Sequence, residues 1–321
     1  MRRIGLLTSG GDAPGMNSAI RAVVRAAAAS DIETVGFQDG YDGLIEGRGS
    51  VLAPRDVGGI IQRGGTMLRT ARAPEMLEDA GRKRALRSIS EREIEGLVVI
   101  GGDGSLRGAG WIARNRVPTV GIPASIDNDI WGTYMSLGVD TALNTILDAV
   151  DKLRDTASSH QRAFLVETMG RDCGYLALMA SVACGAEIVV VPEAEPPLSQ
   201  IGDAIASAYR RGKSYAFVIV AEGAALDVHT IAAHLDELGI GFESRITILG
   251  HVQRGGTPSA FDRLLASRMG IAAVDALRSG ETAVMTALEG HHITLTPLAE
   301  VTQRTRQADL MYRTITELLA R

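Results

Sequence analysis

Glycines and polar side chains follow several short apolar runs of this sequence, at spacings that suit phosphate chemistry. Gly10-Gly11 and the stretch 101–105, which reads Gly-Gly-Asp-Gly-Ser, each lie between a predicted strand and a predicted helix. Residues without a Cβ let backbone N–H groups approach phosphate oxygens, and the start of the following helix favours an anion. Tight turns use the same glycines, so either stretch alone leaves both interpretations open.

Three aspartates in these loops are of the type that phosphoryl transfer needs. Asp103 stands between glycines, and an exposed carboxylate beside a polyphosphate favours Mg²⁺, an ion that keeps much of its water. Asp127 and Asp129 are two residues apart, and in an extended loop such residues face the same side. A carboxylate close to a sugar hydroxyl can take its proton as the oxygen attacks phosphorus. An Asx-turn or a helix cap explains the same triplet equally well.

Arginines and one histidine at loop positions could supply cationic partners for phosphate. Of the 33 basic residues, only Lys83, Lys152 and Lys213 are lysines. A guanidinium presents a rigid fork of donors to phosphate, although a compositional bias also explains the excess. His251 opens a glycine-rich loop that contains Arg254, and this combination favours anion binding. The other arginines in loops or at element ends are Arg72, Arg162, Arg171 and Arg245.

Short apolar runs that alternate with Ala- and Leu-rich stretches must position these residues. Runs of four to eight apolar residues are typical of strands buried on both faces. We therefore predict an α/β fold with two doubly wound, mainly parallel sheets and flanking helices. Such sheets bind ligands outside the carboxyl ends of their strands, where the loops above lie. The predicted strands are 3–8, 34–38, 96–100, 119–122, 163–167, 187–191, 215–221 and 245–249, and the predicted helices are 16–29, 138–157, 174–183 and 198–211.

Composition and charge exclude several classes of protein. The chain has 321 residues, 45% of them hydrophobic and 22% charged, which is typical of a globular protein of about two domains. The net charge of −5 argues against nucleic-acid binding. Cys173 and Cys184 cannot form a disulfide framework, so we expect a cytoplasmic protein. We also expect no membrane partner, because the N-terminal apolar run is short and no stretch approaches about 18 apolar residues.

Taken together and in this order, the loops resemble those of the bacterial ATP-dependent 6-phosphofructokinases. The similarity runs from Ile4 to about Gly280, and the stretch 151–162 is particularly specific to that family. After Gly280 the chain matches the family poorly, so neither its structure nor its role is predicted. The strongest similarity lies in residues 7–17, 96–105, 122–129, 151–162, 169–174 and 249–254.

The resemblance implies a glycolytic kinase that transfers the γ-phosphoryl group of ATP to the 1-hydroxyl of fructose 6-phosphate. It implies an ATP-binding domain of residues 1–138 and 251–301, and a sugar-phosphate-binding domain of residues 139–250 and 302–321. The active site would lie in the cleft between the domains. A homo-oligomer, usually a tetramer, is also implied, because Arg162 and Arg245 reach a neighbouring subunit in this family.

The resemblance assigns roles to individual residues. Asp127 would be the base, Asp129 would support the metal and the loop, and Ser125 would supply a hydroxyl donor. Arg72 and Arg171 would neutralise charge on the moving phosphoryl group, and Asp103 would hold Mg²⁺. ATP would be held by Gly11, Arg72, Ala73, Gly102, Asp103, Gly104 and Ser105. The sugar phosphate would contact Ser125, Asp127, Arg162, Met169, Gly170, Arg171, Glu222, Arg245, His251 and Arg254.

Two substitutions in the active loops bear on the phosphoryl donor. Ala124-Ser125 stands where the family usually has Gly-Thr, and Ser125 keeps the hydroxyl. The pyrophosphate-dependent branch usually has Asp at the position of Gly104 and Lys at that of Ala124, so ATP is the favoured donor. A pyrophosphate-dependent phosphofructokinase is the alternative enzyme. A non-catalytic sugar-phosphate or nucleotide sensor, and a lipid or dinucleotide kinase sharing only the glycine-rich stretch, are alternatives of other kinds.

The family also has an effector site, which binds ADP or phosphoenolpyruvate. Ser214 and Tyr215 replace the Lys and His that are usual there, and the loss of a cation should weaken the binding of an anion. We therefore predict weakened control by these effectors. The positions that match the effector site are Arg21, Arg25, Arg154, Gly185, Glu187, Arg211 and Lys213.

Overall fold

The computed structural model describes residues 1–71, 73–159 and 161–320, and for Ser158 only the backbone. Contacts divide the chain into two units. Unit 1 comprises Met1–Ile126, Ile130–Thr141 and Arg254–Thr305, and unit 2 comprises Asp127–Asp129, Ala142–Gln253 and the residues from Arg306 on. The division into an ATP-binding and a sugar-phosphate-binding domain, with a cleft between them, stays a prediction.

The described residues contain eleven strands and eleven α-helices. The strands are β1 Arg3–Ser9, β2 Glu33–Phe37, β3 Gly49–Leu52, β4 Gly96–Gly101, β5 Thr119–Pro123, β6 Arg162–Thr168, β7 Ile188–Val190, β8 Tyr215–Ala221, β9 Glu243–Ile248, β10 Val284–Glu289 and β11 His292–Pro297. The helices are α1 Met16–Ala28, α2 Gly40–Ile45, α3 Asp79–Glu91, α4 Asp103–Arg114, α5 Val139–Ser158, α6 Tyr175–Cys184, α7 Leu198–Arg210, α8 Val228–Leu238, α9 Ala260–Arg278, α10 Leu298–Val301 and α11 Met311–Leu319. None of these helices is long and apolar enough to cross a membrane.

Unit 1 contains a seven-stranded sheet with the order β11-β10-β5-β4-β1-β2-β3. Its five inner strands are parallel, and β3 and β11 pair antiparallel at the two edges. The chain passes from β1 to β2 on one side and later adds β4 and β5 on the other. The direction of strand addition therefore reverses between β1 and β4, which is where such sheets bind ligands.

The core of unit 1 follows from the alternation of side chains along its strands. Leu7, Phe37, Leu97 and Val99 are fully buried and belong to one apolar cluster with residues of α2, α3, α4 and α10. Helices α1 and α9 pack against each other, and α9 also contacts β4, β5 and β10. Strands buried in this way need no polar alternation, which is why their sequences are continuous apolar runs.

Unit 2 contains a four-stranded parallel sheet with the order β7-β8-β6-β9. Side chains of β6, β7 and β8 form an apolar cluster with α7 and α8. Helices α6 and α11 pack on each other and contact β7. The direction of strand addition reverses at β6, because β8 lies on one side of it and β9 on the other. The loops after β6, β8 and β9 therefore meet at one edge.

The predicted fold class is confirmed, and each predicted strand and helix is present with ends within two residues of the prediction. The prediction gave no range for the edge strand β3, for the helices α2, α3, α4, α8 and α9, or for any element after Gly280. Polar and apolar residues alternate along β11 and none of them is fully buried, so it has no continuous apolar run. Beyond Gly280 the chain forms β10, β11, α10 and α11.

A buried carboxylate joins the start of α5 to the start of α9 in unit 1. Asp262 is fully buried and accepts hydrogen bonds from the backbone N–H groups of Gly138 and Thr141, each at 2.9 Å. The Thr141 hydroxyl also donates to this carboxylate. Burial raises the pKa of Asp262 to about 6, although these hydrogen bonds act in the opposite direction.

This raised pKa predicts a dependence of stability on pH. An aspartate in an unfolded chain has a pKa of about 3.9, so between pH 4 and 6 the folded state binds more protons at Asp262. The stabilisation is present below the unfolded pKa and is lost as the pH rises through about 6. As the pH rises from 4 to 7, we expect the free energy of unfolding of the wild type, measured relative to that of Asp262→Asn, to fall by on the order of 3 kcal/mol. Urea titrations of both proteins from pH 4 to pH 7 test this; a difference that does not change with pH would contradict it.

Candidate functional site

The loops after β1, β4 and β5 come together in unit 1. A Cβ on Gly10 would lie 3.1 Å from the Ser105 hydroxyl oxygen and 3.9 Å from the backbone nitrogen of Gly102. A Cβ on Gly102 would lie 3.7 Å from the carbonyl oxygen of Ala124. Ser105 itself is buried in the first turn of α4. These glycines thus bring the N-terminus of a twelve-residue helix to the point where the direction of strand addition reverses, an arrangement that favours a phosphate.

Gly104 and Asp103 begin α4 and are open to solvent. A Cβ on Gly104 would have no heavy atom within 4 Å, so a ligand can approach the backbone there closely. The Asp103 carboxylate is 36% exposed and lies 2.9 Å from the Arg107 Nε. Within the described ranges no three His, Cys, Asp or Glu side chains are grouped as a metal site. Because Mg²⁺ commonly takes one or two carboxylates and completes its shell with water and phosphate oxygens, Asp103 suits that ion.

The Arg254 guanidinium lies against the backbone of Gly11. A Cβ on Gly11 would collide with its Nη1, and its Nε is buried without a hydrogen-bond partner among the described residues. A buried donor without a partner is costly, so an arriving anion would be stabilised by it. The structure therefore brings Gly11 and Arg254 together. Arg72 lies outside the described residues, and its neighbour Ala73 is half-buried against the core of unit 1.

Ser125 follows β5 and has a fixed backbone. Its N–H donates to the carbonyl oxygen of Leu137 at 3.2 Å, and its carbonyl oxygen accepts from the Ser136 hydroxyl at 2.6 Å. Its side chain is half-buried. The adjacent Ala124 is 2% exposed and forms a bridge with Leu137.

Asp127 and Arg171 form an ion pair in unit 2. The Asp127 Oδ2 lies 3.5 Å from the Arg171 Nε, with the carboxylate side chain 5% exposed and the guanidinium side chain 64% exposed. The φ of Arg171 is 50°, a left-handed conformation that is uncommon outside glycine and often marks functional sites. A buried carboxylate next to an exposed cation can accept a hydroxyl proton while the cation stays near the charge that develops.

Glu222 holds the loop that carries Arg171. Its Oε1 accepts from the N–H groups of Gly170 at 3.2 Å and Arg171 at 2.9 Å. Gly170 has a φ of 146°, and a Cβ there would clash with the carbonyl oxygen of Cys173, so glycine is required. Glu222 was predicted to contact the sugar phosphate. In the structure its carboxylate fixes the backbone of Gly170 and Arg171, two other residues predicted to make that contact.

The backbone between Asp127 and Asp129 is not extended, so the argument that placed both carboxylates on one side was wrong. Residues 126 and 127 form a turn, and Asn128 has a φ of 53°. Asp129 is half-buried, and its carbonyl oxygen accepts from the N–H of Arg306 at 2.9 Å. The turn interpretation of this triplet describes its backbone better, and Asp127 still meets Arg171 because of the fold around it.

Gln253 is a residue that the sequence reasoning missed. It is fully buried, its Oε1 accepts from the N–H of Met169 at 3.2 Å, and its Nε2 donates to the carbonyl oxygen of Gly250 at 3.0 Å. It therefore ties the loop after β6 to the 3₁₀ helix Gly250–Arg254, on which His251 is exposed. The sequence offered one signal for this role, since Gln253 is a polar residue between the candidate site residues His251 and Arg254.

Arg162 and Arg245 lie at the opposite end of the unit 2 sheet. Arg162 is the first residue of β6, and Arg245 pairs with Phe164 near the start of β9. Both guanidinium groups contact the Glu243 carboxylate, Arg162 at 3.3 Å. The hydrogen bond from Arg245, with the charges of both arginines, holds the pKa of Glu243 below its usual value. About 20 Å of strand separates Arg162 from the loop after β6. The structure therefore does not bring these two arginines to that loop.

Five of the residues matched to an effector site lie in unit 2, near the amino ends of β7 and β8. The Lys213 Nζ donates to the buried Glu187 at 2.8 Å. Arg154 donates to the Tyr215 hydroxyl at 3.1 Å and lies over the Tyr215 ring, 5.5 Å from its centroid. The remaining two unit 2 residues are Gly185, with a φ of 66°, and Arg211, which donates to the Ala320 carbonyl at 2.7 Å. In unit 1, Arg21 and Arg25 are on α1.

Comparison with known proteins gives one consistent result. A family model described as Phosphofructokinase matches residues 3–277. The chain is 52% identical over 321 residues to an ATP-dependent 6-phosphofructokinase of Thermotoga neapolitana, and 47% identical over 323 residues to ATP-dependent 6-phosphofructokinase 1 of Thermus thermophilus. Each alignment covers 100% of both chains.

Solved structures give the same result. The chain is similar to a phosphofructokinase of Pichia pastoris solved in the T-state, with a TM-score of 0.89 and 38% identity; 94% of this chain and 35% of that longer chain are covered. A pyrophosphate-dependent phosphofructokinase of Marinobacter aquaeolei has a TM-score of 0.86 at 19% identity, covering 99% of this chain and 88% of the other. At that identity the second likeness shows the fold alone.

Proposed function

Because the chain belongs to the phosphofructokinase family, we infer that it transfers the γ-phosphoryl group of ATP to the 1-hydroxyl of fructose 6-phosphate. The products are fructose 1,6-bisphosphate and ADP. The observation that carries this inference is the buried Asp127 carboxylate, 3.5 Å from the Arg171 guanidinium. Asp127 takes the proton of the 1-hydroxyl as its oxygen attacks phosphorus, and Arg171 balances charge on the transferring group.

The loops of unit 1 bind the nucleotide in this proposal. The N–H groups at the start of α4 face phosphate oxygens, and Gly104 leaves its backbone open to the ligand. Arg254 keeps its place in the sugar-phosphate set, and its buried Nε would donate to the 6-phosphate. Mg²⁺ would be held by Asp103 and, when bound, would neutralise charge on the phosphates of ATP. The remaining residues of the predicted ATP and sugar-phosphate sets keep the roles that the family resemblance implies.

ATP is preferred to pyrophosphate on the evidence of Gly104 and Ala124. A side chain at Gly104 would point into open space, where it would obstruct a nucleotide without disturbing the fold. Ala124 offers no cation to pair with a pyrophosphate. Similarity to ATP-dependent relatives at about 50% identity supports the same donor.

A side-by-side donor assay tests the proposed function. Fructose 6-phosphate and Mg²⁺ are supplied with either ATP or pyrophosphate, and fructose 1,6-bisphosphate is measured directly. We expect product with ATP and at most a trace with pyrophosphate. Product only with pyrophosphate would assign the alternative donor, and no product with either would favour a sensor that binds these ligands without reacting.

We propose that the protein acts as a homo-oligomer, in which Arg162 and Arg245 serve the site of a neighbouring subunit. Among the described residues β9 pairs only with β6, so its other edge can meet a second copy. Ile248 of this strand is 53% exposed and Val252 beyond it is 63% exposed, which favours a surface covered by another subunit.

A tetramer and a cytoplasmic location are the family expectations. Cys173 and Cys184 are free and buried, which suits a reducing compartment.

We further propose that effector control is weakened. The Tyr215 hydroxyl and ring engage Arg154, a cation that an anionic effector would otherwise use. A lost contact to a charged group would weaken effector binding by about 1.5–3 kcal/mol. We therefore expect phosphoenolpyruvate or ADP to change the KM for fructose 6-phosphate less than about threefold. The double variant Ser214→Lys, Tyr215→His should respond more strongly than the wild type. Strong inhibition of the wild type at low phosphoenolpyruvate concentration would contradict this proposal.

A further inference from the structure

The chain after Arg306 contacts the loop that carries the proposed base. The N–H of Arg306 donates to the carbonyl oxygen of Asp129 at 2.9 Å. Two residues later, the N–H of Ala308 donates to the Glu193 Oε1 at 3.1 Å. We refer to residues 306–308 as the C-terminal strap. Its two backbone donors are thus directed at the 127–129 loop and at a carboxylate of the loop after β7.

Glu193 also holds the start of α6. The N–H of Gly174 donates to its Oε1 at 2.9 Å and to its Oε2 at 3.1 Å. Gly174 ends the loop after β6, in which the N–H of Cys173 donates to the carbonyl oxygen of Gly170 at 2.9 Å. The same Glu193 oxygen therefore accepts from the loop after β6 and from the strap.

The strap has its own anchor on unit 2. The Arg306 guanidinium lies over the Tyr175 ring, 5.5 Å from its centroid, at the first turn of α6. Helix α11 follows the strap and packs on α6, with the Thr316 hydroxyl 2.7 Å from that of Ser181. Arg313 of α11 donates to the carbonyl oxygen of Ala194 at 3.0 Å. These contacts fix the strap against the same helix that Glu193 helps to start.

We propose that Glu193 and the C-terminal strap are positioning elements that set Asp127 against Arg171. The contacts connect three segments to one another. Arg171 pairs with Asp127, and the N–H of Arg306 donates to Asp129 in the same loop as Asp127. Glu193 accepts from the strap and from the loop of Arg171. Loss of Glu193 releases two N–H groups and lets the two loops move independently. This inference rests on the proposed function, since it concerns the geometry of the same reaction.

Kinetics of Glu193→Ala test the proposal against a matched control. Glu195 lies in the same loop and likewise accepts backbone N–H groups, those of Ala225 and Leu226, which belong neither to the strap nor to the loop of Arg171. We expect Glu193→Ala to lower kcat about 10-fold to 100-fold and to raise the KM for fructose 6-phosphate, with the KM for ATP within twofold of wild type. Glu195→Ala should keep kcat within twofold. Glu193→Gln retains a carbonyl acceptor and should recover most of the rate.

The outcomes separate this proposal from the proposed function. If the wild type forms no fructose 1,6-bisphosphate, the proposed function fails. If the wild type is active and the two alanine variants have equal kcat, the positioning role is wrong. Should Glu193→Ala not fold, amide hydrogen exchange of Glu193→Asp, whose carboxylate is one methylene shorter, replaces its kinetics. Segments 127–129, 170–174 and 306–308 should then exchange faster together, and faster exchange confined to 170–174 would overturn the proposal.

Discussion

Replacing Asp127 with serine should lower kcat at least about 10²-fold while leaving the binding of fructose 6-phosphate largely intact. The carboxylate is 5% exposed, so water cannot easily take its place as the proton acceptor. Serine is too short and too weakly basic to do so. The contacts that fix the loop of Arg171 come from Glu222 and Gln253, which the substitution leaves in place. Steady-state kinetics give kcat, and equilibrium titration with fructose 6-phosphate gives its Kd.

Asp172→Ser is the matched control for this variant. Asp172 is exposed and adjacent to Arg171, so its loss changes the net charge near the loop by the same amount. We expect its kcat to stay within twofold of wild type. If Asp127→Ser turned over at a near-normal rate, Asp127 would not be the base. If both variants lost turnover equally, the effect would come from charge near Arg171 and not from proton transfer at Asp127.

The inner strands of both sheets could be predicted because burial on both faces makes their sequences continuously apolar. Val98 and Val99 of β4, for example, are each 0% exposed. The same rule explains the misses. Strand β3 has the burial pattern of a half-exposed edge, and β11 alternates, so neither has an apolar run. Their place in the sheet depends on pairing with β2 and β10, which no local pattern contains.

Part of the candidate site could likewise be predicted from the sequence, and part could not. Glycines indicate positions where the backbone is approached closely, and Gly10, Gly102 and Gly104 do lie where loops converge or open to solvent. The carboxylates that hold backbone N–H groups give no such signal. Glu193 and Gln253 act on residues 19 and 84 positions away, so their partners are set by the strand order and not by spacing. The turn at Asp127 shows that local spacing can also mislead, because the pairing with Arg171 depends on tertiary contacts.

Mixing two inactive variants should restore activity if Arg162 and Arg245 serve a neighbouring subunit. Asp127→Ser lacks the base, and the double variant Arg162→Ala, Arg245→Ala lacks two phosphate ligands, so each homo-oligomer should be at least about 10²-fold less active than wild type. In a randomly mixed oligomer a site is complete when its own subunit carries Asp127 and its neighbour carries both arginines. At equal amounts each condition holds for half of the subunits, so roughly one quarter of the wild-type activity should return.

The control mixture pairs Asp127→Ser with Arg171→Ala. These two residues are in contact within one subunit, so every site of the hybrid lacks one or the other and no activity should return. Native mass spectrometry verifies that hybrids form in both mixtures. Recovery in the first mixture alone would assign the arginines to the neighbour. Hybrids without recovery would mean that Arg162 and Arg245 act within their own chain, which the strand length of about 20 Å between Arg162 and the loop of Arg171 opposes. Glu243 neutralises part of the charge of both arginines in the single chain, so they are stabilised at a subunit surface. A phosphate bound at the neighbouring site would then replace this carboxylate as their partner.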